Sequence, residues 1–331
     1  MKQTKILGNQ EPENLKEKLL RQAGEDKFID AVIRKKKSKT DTGDFFKQFK
    51  QCQKAWELIH AIENSGNFDE EKGLYKYTIH GRETHYSACE NISVALAYLA
   101  VGKIEEAEYL IMNVEKKIGF HKQYVSNITG DRGGLIITHD SSGDSWNIED
   151  NSLLALAYLG LDGLGRATHQ IEAIEANASM YDDLLFEKYQ ESTQEEPLEA
   201  VSGDNLAFAL ALGAINNTKE DASNYREQIE QVIGYDNNRV FDPEIPTGLI
   251  MGSNLDSSVF TDDNALLALV YMSIEDDLDK ASKLIKGIEK HIGFNKDTWL
   301  ANTYNGSSHT TIKGSALLVL AYMMQEFYRT K

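Results

Sequence analysis

The stretch Asp263-Asn-Ala-Leu-Leu-Ala-Leu-Val-Tyr271 decides the fold, because the chain writes it five times. Its counterparts are Glu90-Asn-Ile-Ser-Val-Ala-Leu-Ala-Tyr98, Asp150-Asn-Ser-Leu-Leu-Ala-Leu-Ala-Tyr158, Asp204-Asn-Leu-Ala-Phe-Ala-Leu-Ala211 and Gly314-Ser-Ala-Leu-Leu-Val-Leu-Ala-Tyr322. Taking Asn91, Asn151, Asn205, Asn264 and Ser315 as the anchor position, the intervals are 60, 54, 59 and 51 residues, so the chain is a repeated module with variable loops. Each copy is apolar nearly all round and rich in Ala and Leu, which predicts a helix buried on every side. The short polar residue opening each copy is expected to cap the first turn.

A second, different helix follows each of the first four. Ile104, Ala107, Leu110, Ile111, Val114 and Ile118 form one apolar face, and Leu278, Ala281, Leu284, Ile285, Ile288 and Ile292 repeat it, with Lys and Glu on the other side. Three of these helices stop alike, at Ile118-Gly119-Phe120, Ile233-Gly234-Tyr235 and Ile292-Gly293-Phe294, where glycine is expected in a left-handed cap. Helices wet on one side alternate with helices dry on all sides. That alternation predicts an inner ring of buried helices wrapped by an outer ring, an all-α α/α toroid, in preference to an open solenoid. A helix near Asp44–Glu63 and a last one at Ser315–Tyr328 complete five hairpins. Residues 1–43 form an N-terminal helical arm or a further hairpin, making five to six, and 44–331 are the toroid domain.

The 331 residues are 41% hydrophobic and include 52 acidic against 35 basic side chains, a net charge of −17. Such a chain folds, and its field repels phosphate backbones and anionic membranes. Neutral or cationic partners are expected, with no nucleic acid and no membrane. Two cysteines make no disulfide framework, and no signal-peptide core or membrane-length apolar run is seen, so a cytoplasmic protein is expected.

The connections returning from outer to inner helices are long and must gather on one rim, where long loops usually carry function. They hold His139, Arg82, Arg132, Tyr86, Tyr304, Trp146 and Trp299, and stretches such as Gly134-Leu-Ile-Ile-Thr138 read as short strands. Just inside that rim, Glu90, Asp150, Asp204 and Asp263 lead four of the five inner helices. Crowded carboxyls raise one another's pKa, the usual route to a protonated acid beside an ionised base. Asp144 stands close by, in Asp140-Ser-Ser-Gly-Asp144-Ser-Trp146.

The recurring Asp-Asn-Ala-Leu-Leu-Ala-Leu, the Ile-Gly-Phe stops and the aromatic returns resemble the six-hairpin glycosidase superfamily of (α/α)6 toroids over about residues 45–331. What the resemblance implies is an oligosaccharide or uronate-containing substrate in the central funnel, cut by a glycoside hydrolase or lyase with acids at inner-helix starts. On that reading Asp144 or Asp150 protonates the leaving oxygen and Asp263 activates water. Trp146, Trp299, Tyr86 and Tyr304 offer flat faces to sugar rings, and His139, Arg82, Arg132, Asp204 and Glu90 bind polar groups. No cofactor and no metal are expected: Asp140 to Asp144 lacks the spacing of a calcium loop, and no paired Cys or His motif is present. Two other readings make different predictions. A ring kept for sugar binding or protein interaction without catalysis would place no two accessible funnel acids within ~10 Å. A terpenoid cyclase, suggested by Asp182-Asp183-Leu-Leu-Phe-Glu187, would have an aliphatic and aromatic funnel.

Overall fold

The computed structural model describes residues 50–79, 83–126, 133–139, 145–181, 184–186, 201–216, 219–233, 249–250, 258–304, 307 and 309–329. The expected arm at 1–43, the stop at Gly234-Tyr235 and the Asp182-Asp183 pair lie outside them.

The five copies of the repeat are α2 (Ala88–Val101), α4 (Ile148–Gly160), α6 (Ser202–Asn216), α8 (Thr261–Ser273) and α10 (Ile312–Arg329). Every residue of α2 is buried, as the all-round apolar pattern requires. Between them run α3 (Ile104–Asn113), α5 (Leu164–Asn177), α7 (Lys219–Val232) and α9 (Leu278–Gly287), and α1 (Lys50–Glu63) precedes them all. In α9 the buried residues include Ala281, Leu284 and Ile285, while Asp279 points outward. Around the ring α2 packs on α4, α4 on α6, α6 on α8, α8 on α10, and α10 back on α2. Among the described residues, five inner helices close the circle. Each outer helix lies mainly on the inner helix before it, and α1 takes that place against α10.

Polar rivets fasten the two rings. Tyr158 of α4 donates to Glu115 at 2.9 Å, with the Arg166 guanidinium 3.8 Å over its ring. Tyr322 donates to Glu289 at 2.7 Å, and Glu289 also pairs with Lys54 of α1 at 2.5 Å. Tyr271 repeats the arrangement with Glu230 and Arg226. Tyrosine at this register buries its ring against the outer helix while its hydroxyl keeps a partner. Glu115 and Glu289 both sit on single π-helical turns, Val114–Ile118 and Ile288–Ile292, that end the outer helices.

Those turns end at Gly119 and Gly293. Their φ values are +89° and +76°, as expected for glycine, but ψ is 177° and −167°. This is the extended region open essentially to glycine alone, rather than the left-handed helical cap, and it turns the chain at once into the return. There Phe120 and Phe294 pair with Ile136 and Ala301. The returns carry small antiparallel hairpins: β1 (Phe68–Asp69) with β2 (Leu74–Tyr75), β3 (Tyr77–Ile79) with β4 (Glu83–His85), β5 (Phe120–Ser126) with β6 (Gly133–Ile136), and β7 (Ser179–Tyr181) with β8 (Leu184–Phe186).

The leading acids do not make the caps expected of them, and the anchors beside them do other work. Caps sit three or four residues earlier: Ser87 accepts from Glu90 N–H, and Asn147 accepts from Asp150 N–H at 2.6 Å. The anchors instead clip the returns to the helices. Asn91 accepts from the N–H of Tyr75 at 2.7 Å and donates to its carbonyl at 3.0 Å. Asn151 does the same to Ile136 at 2.6 and 3.3 Å, and Asn264 to Ile250 at 2.8 and 3.2 Å. Ser315, with one short hydroxyl, accepts from Ala301 N–H at 2.9 Å. Each clip satisfies a buried stretch of loop backbone and holds the rim against the first turn of an inner helix.

Candidate functional site

The inner helices all begin at the rim where the returns arrive, so the residues of their first turns face one another. Glu90, Asp150, Asp204 and Asp263 occupy the position before the anchor, and the position one residue earlier holds Cys89, Glu149, Gly203, Asp262 and Lys313. Lys313 is the centre of the group. Its Nζ is 2.6 Å from Glu149 Oε2 and 2.6 Å from Asp262 Oδ2. Helices α4 and α10 are not neighbours in the ring, so the Lys313–Glu149 pair crosses the bore. Asp204 accepts from the Glu149 backbone N–H at 2.9 Å, drawing α6 into the same cluster.

Two glycines make room for this. A Cβ at Gly203 would lie 2.8 Å from Asp263 Oδ1 and 3.4 Å from Glu149 Oε1, so a side chain has no room there and the two carboxyls close over bare backbone. At Gly314 a Cβ would meet Thr311 Cγ2 at 2.6 Å and Thr261 Cγ2 at 3.0 Å. The fifth module lacks an acid at that position because α8 and α10 approach too closely there.

Six carboxyls around one ammonium cannot all ionise at neutral pH. Burial, then the charge of Glu149, pushes Asp204 up to about 7. Asp150 and Asp263 are raised well above the ordinary carboxyl range, in both cases chiefly by burial, then by Glu149 and Asp262 respectively. Burial also raises Glu90 and Glu149, with Lys313 pulling Glu149 back. Burial opposes the charge on Lys313, but the surrounding acids, Asp262 foremost, outweigh it and hold the ammonium charged. Burial pushes the neighbouring Cys89 thiol up.

Of the sequence-predicted residues, the structure brings Glu90, Asp150, Asp204 and Asp263 into this cluster. Asp150 is wholly buried, beside the Cys89 thiol. His139 bridges to Ser87 at the start of α2, and the half-buried Trp146 precedes the Asn147 cap of α4. Tyr304 bridges to Phe260, at the start of α8, with ring centroids 6.0 Å apart. Tyr86 is turned to Asp69, donating at 2.7 Å. Trp299 projects into solvent, 65% exposed, from a φ of +61° in a register where Gly73 (φ +64°) stands in the first return. Arg82, Arg132 and Asp144 lie outside the described residues. Sequence reasoning missed Glu149, Asp262 and Lys313 as site members, although one signal pointed to them: a lysine in the fifth copy at the register where the second and fourth carry acids. Among the described residues no three His, Cys, Asp or Glu side chains are arranged to hold a metal ion, and no helix is long and apolar enough to cross a membrane.

Solved structures share this architecture. A GH76 α-mannanase from Bacteroides thetaiotaomicron superposes with a TM-score of 0.50 at 12% identity, over 88% of this chain and 99% of that one. The endo-β-1,4-glucanase CMCax from Acetobacter xylinum gives 0.50 at 11% identity, over 83% and 98%. The fold shared with them is an α/α toroid. At these identities the likeness speaks for the fold alone. Neither a protein-family profile nor a curated protein sequence matches the chain.

Proposed function

We propose that the chain is a carbohydrate-active enzyme that hydrolyses a glycosidic bond in the bowl at the ring's centre, with Glu149 and Asp263 as the working pair. The observation carrying this is their geometry. Oxygens of the two residues lie 2.8 and 3.4 Å from one point at Gly203, so they are at most about 6 Å apart, closer than the ~6.5–9.5 Å spacing of inverting glycosidases. An acidic helix rim runs against a terpenoid cyclase.

The pair also has unlike environments. Burial and Asp262 raise Asp263 well above the ordinary carboxyl range, while Glu149, itself raised by burial, has the Lys313 ammonium at 2.6 Å pulling it back toward the ionised form. Asp263 gives its proton to the glycosidic oxygen as the C–O bond breaks, while a Glu149 oxygen bonds to the anomeric carbon. Asp263, now a carboxylate, takes a proton from water, whose oxygen displaces Glu149 and restores both groups. Asp150, adjacent but wholly buried, stays protonated below the pair. Trp146 and Tyr304, at the starts of α4 and α8, supply apolar faces to the sugar. The uronate reading rests on Arg82 and Arg132 and is not carried by this cluster.

The α-mannanase and the endo-β-1,4-glucanase that share the fold choose the first substrates: α-mannan and β-1,4-glucan oligosaccharides and their chromogenic glycosides. Glu149→Gln and Asp263→Asn are each expected to lower turnover at least ~10²-fold, with the first-formed sugar keeping its anomeric configuration by NMR. Hydrolysis untouched by both substitutions, or a product of inverted configuration, overturns the assignment.

A further inference from the structure

We propose that Trp299 is a docking platform for a long neutral glycan, holding one sugar ring of the chain away from the bond that is cut. This rests on the carbohydrate reading and adds the length and charge class of the substrate. The repeat shows what the turn around Trp299 requires. In the first return Asp69 Oδ1 accepts from the N–H groups of Glu71 and Lys72 at 3.0 Å each, and the Asp69 carbonyl accepts from Gly73 N–H at 2.6 Å. In the fifth, Asn295 Oδ1 accepts from Asp297 and Thr298 at 2.9 and 3.0 Å, and the Asn295 carbonyl accepts from Trp299 N–H at 2.9 Å. Both turns close on a left-handed residue, and two residues on, Tyr75 and Ala301 are clipped to the anchors Asn91 and Ser315. Glycine is the residue such a turn calls for. The first return has it, where a Cβ would also meet Tyr109 Oη at 2.5 Å.

Nothing inside the fold compensates for the left-handed backbone of Trp299. The other non-glycine residues at positive φ among the described residues are Asp162 and Asp276, of a type that tolerates it. The Trp299 indole is 65% exposed, and among the described residues it makes no hydrogen bond, ring stacking or cation contact. Trp56 and Trp146 pack against the core; Trp299 does not. A bulky apolar ring kept in a strained conformation and turned out of the core is kept for a ligand. Its surroundings choose which. Lys296, Asp297 and Thr298 are exposed beside it, giving donors and acceptors whose charges cancel. A lone ring edged by polar groups is far smaller than the roughly 800 Å² that each partner of a stable protein interface buries. It matches one pyranose, whose C–H face lies on the indole while its hydroxyls meet the polar edge. The net charge of −17 repels polyuronates.

The test is binding of the full chain to α-mannan, to hydroxyethylcellulose as a soluble neutral β-1,4-glucan, and to polygalacturonate. Affinity electrophoresis, tryptophan emission and acrylamide quenching follow it, with Trp299→Gly and Trp299→Phe beside the unsubstituted chain. At least one neutral polymer is expected to move the emission to shorter wavelength and to shield Trp299 from acrylamide; polygalacturonate is expected to do neither. Trp299→Gly should weaken binding of that polymer at least ~5-fold, and Trp299→Phe, which keeps a ring, by about twofold or less. Melting temperature separates this from packing. Glycine suits the turn, so Trp299→Gly should melt no lower than the unsubstituted chain and up to ~2 °C higher. Neutral polymer bound equally well by Trp299→Gly, polygalacturonate bound as tightly as the neutral polymers, or melting lowered by more than ~2 °C overturns the inference and leaves the carbohydrate reading standing. Hydrolysis untouched by Glu149→Gln and Asp263→Asn, with Trp299 still shielded by polymer, overturns the assigned pair and leaves the platform. Binding of none of the three polymers overturns both.

Discussion

Asn264→Ala removes a clip and tests how the rim is held. Asn264 is wholly buried; its Oδ1 accepts from Ile250 N–H at 2.8 Å, and its amide donates to the carbonyls of Ile250 at 3.2 Å and Phe260 at 2.8 Å. The Phe260 carbonyl also receives the Asn264 backbone N–H, so it keeps a partner. Ile250 loses its clip on both sides, and it is itself fully buried, away from solvent to replace the bonds. A stranded buried polar group costs about 1–3 kcal/mol, so two of them, with some relaxation of the loop, amount to about 3–5 kcal/mol. Ser315→Ala strands only the Ala301 N–H and should cost about 1–3 kcal/mol. Urea unfolding followed by circular dichroism reads both as midpoint shifts at unchanged slope. Amide exchange at Ile250 should rise in the first variant, and Asp262 and Asp263, one turn from the lost clip, should lose order with it. A loss below ~1 kcal/mol for Asn264→Ala, or a Ser315→Ala loss as large as its own, would refute the clip and return the anchor to a local helix role.

Two further predictions address the cluster. Asp204 has a folded pKa near 7 against an ordinary value of 3.8, so the folded state holds the extra proton between them. Its contribution to stability is present below about pH 4 and is lost as pH rises through about 7. Asp150 and Asp263 continue the decline above that pH. The melting temperature should therefore be higher at pH 5 than at pH 8, and Asp204→Asn should flatten the pH 4–7 part of the curve; an unchanged curve in the variant would exclude Asp204 as its source. Gly203→Ala places a methyl 2.8 Å from Asp263 Oδ1. The carboxylate must swing aside, at a folding cost of about 1–3 kcal/mol that the better helix propensity of Ala partly offsets. Turnover should fall more steeply than melting temperature; a variant that melts early but turns over normally would show that the space at Gly203 matters to packing alone.

The ring was legible because its evidence is repetition. Five apolar copies and alternating one-sided helices leave few arrangements that bury both sets, and the rivets at Tyr158, Tyr271 and Tyr322 repeat with them. The anchor Asn was legible as a repeat but not as a clip, because its partners Tyr75, Ile136 and Ile250 lie 14–16 residues upstream in the returns, beyond the reach of any helix-end rule. Gly119 and Gly293 were placed at the correct stops, yet their ψ depends on the strand that each return goes on to form, which the stop motif does not contain. The candidate site escaped for the opposite reason from the one that made the ring visible. At the register before the acids the five copies read Cys, Glu, Gly, Asp and Lys, and a search that rewards sameness passes over such a column. Charge and bulk differ there because the positions converge on one point: Lys313 can pair with Glu149 only across the bore, and Gly203 must be empty for Glu149 and Asp263 to approach. In a closed ring of like modules, what holds the circle together has to be the same in every copy, whereas a pocket at its centre, which presents a donor on one side and acids on another, has to be different. The register at which a repeat stops agreeing with itself while keeping polar or absent side chains is therefore where its chemistry should be sought.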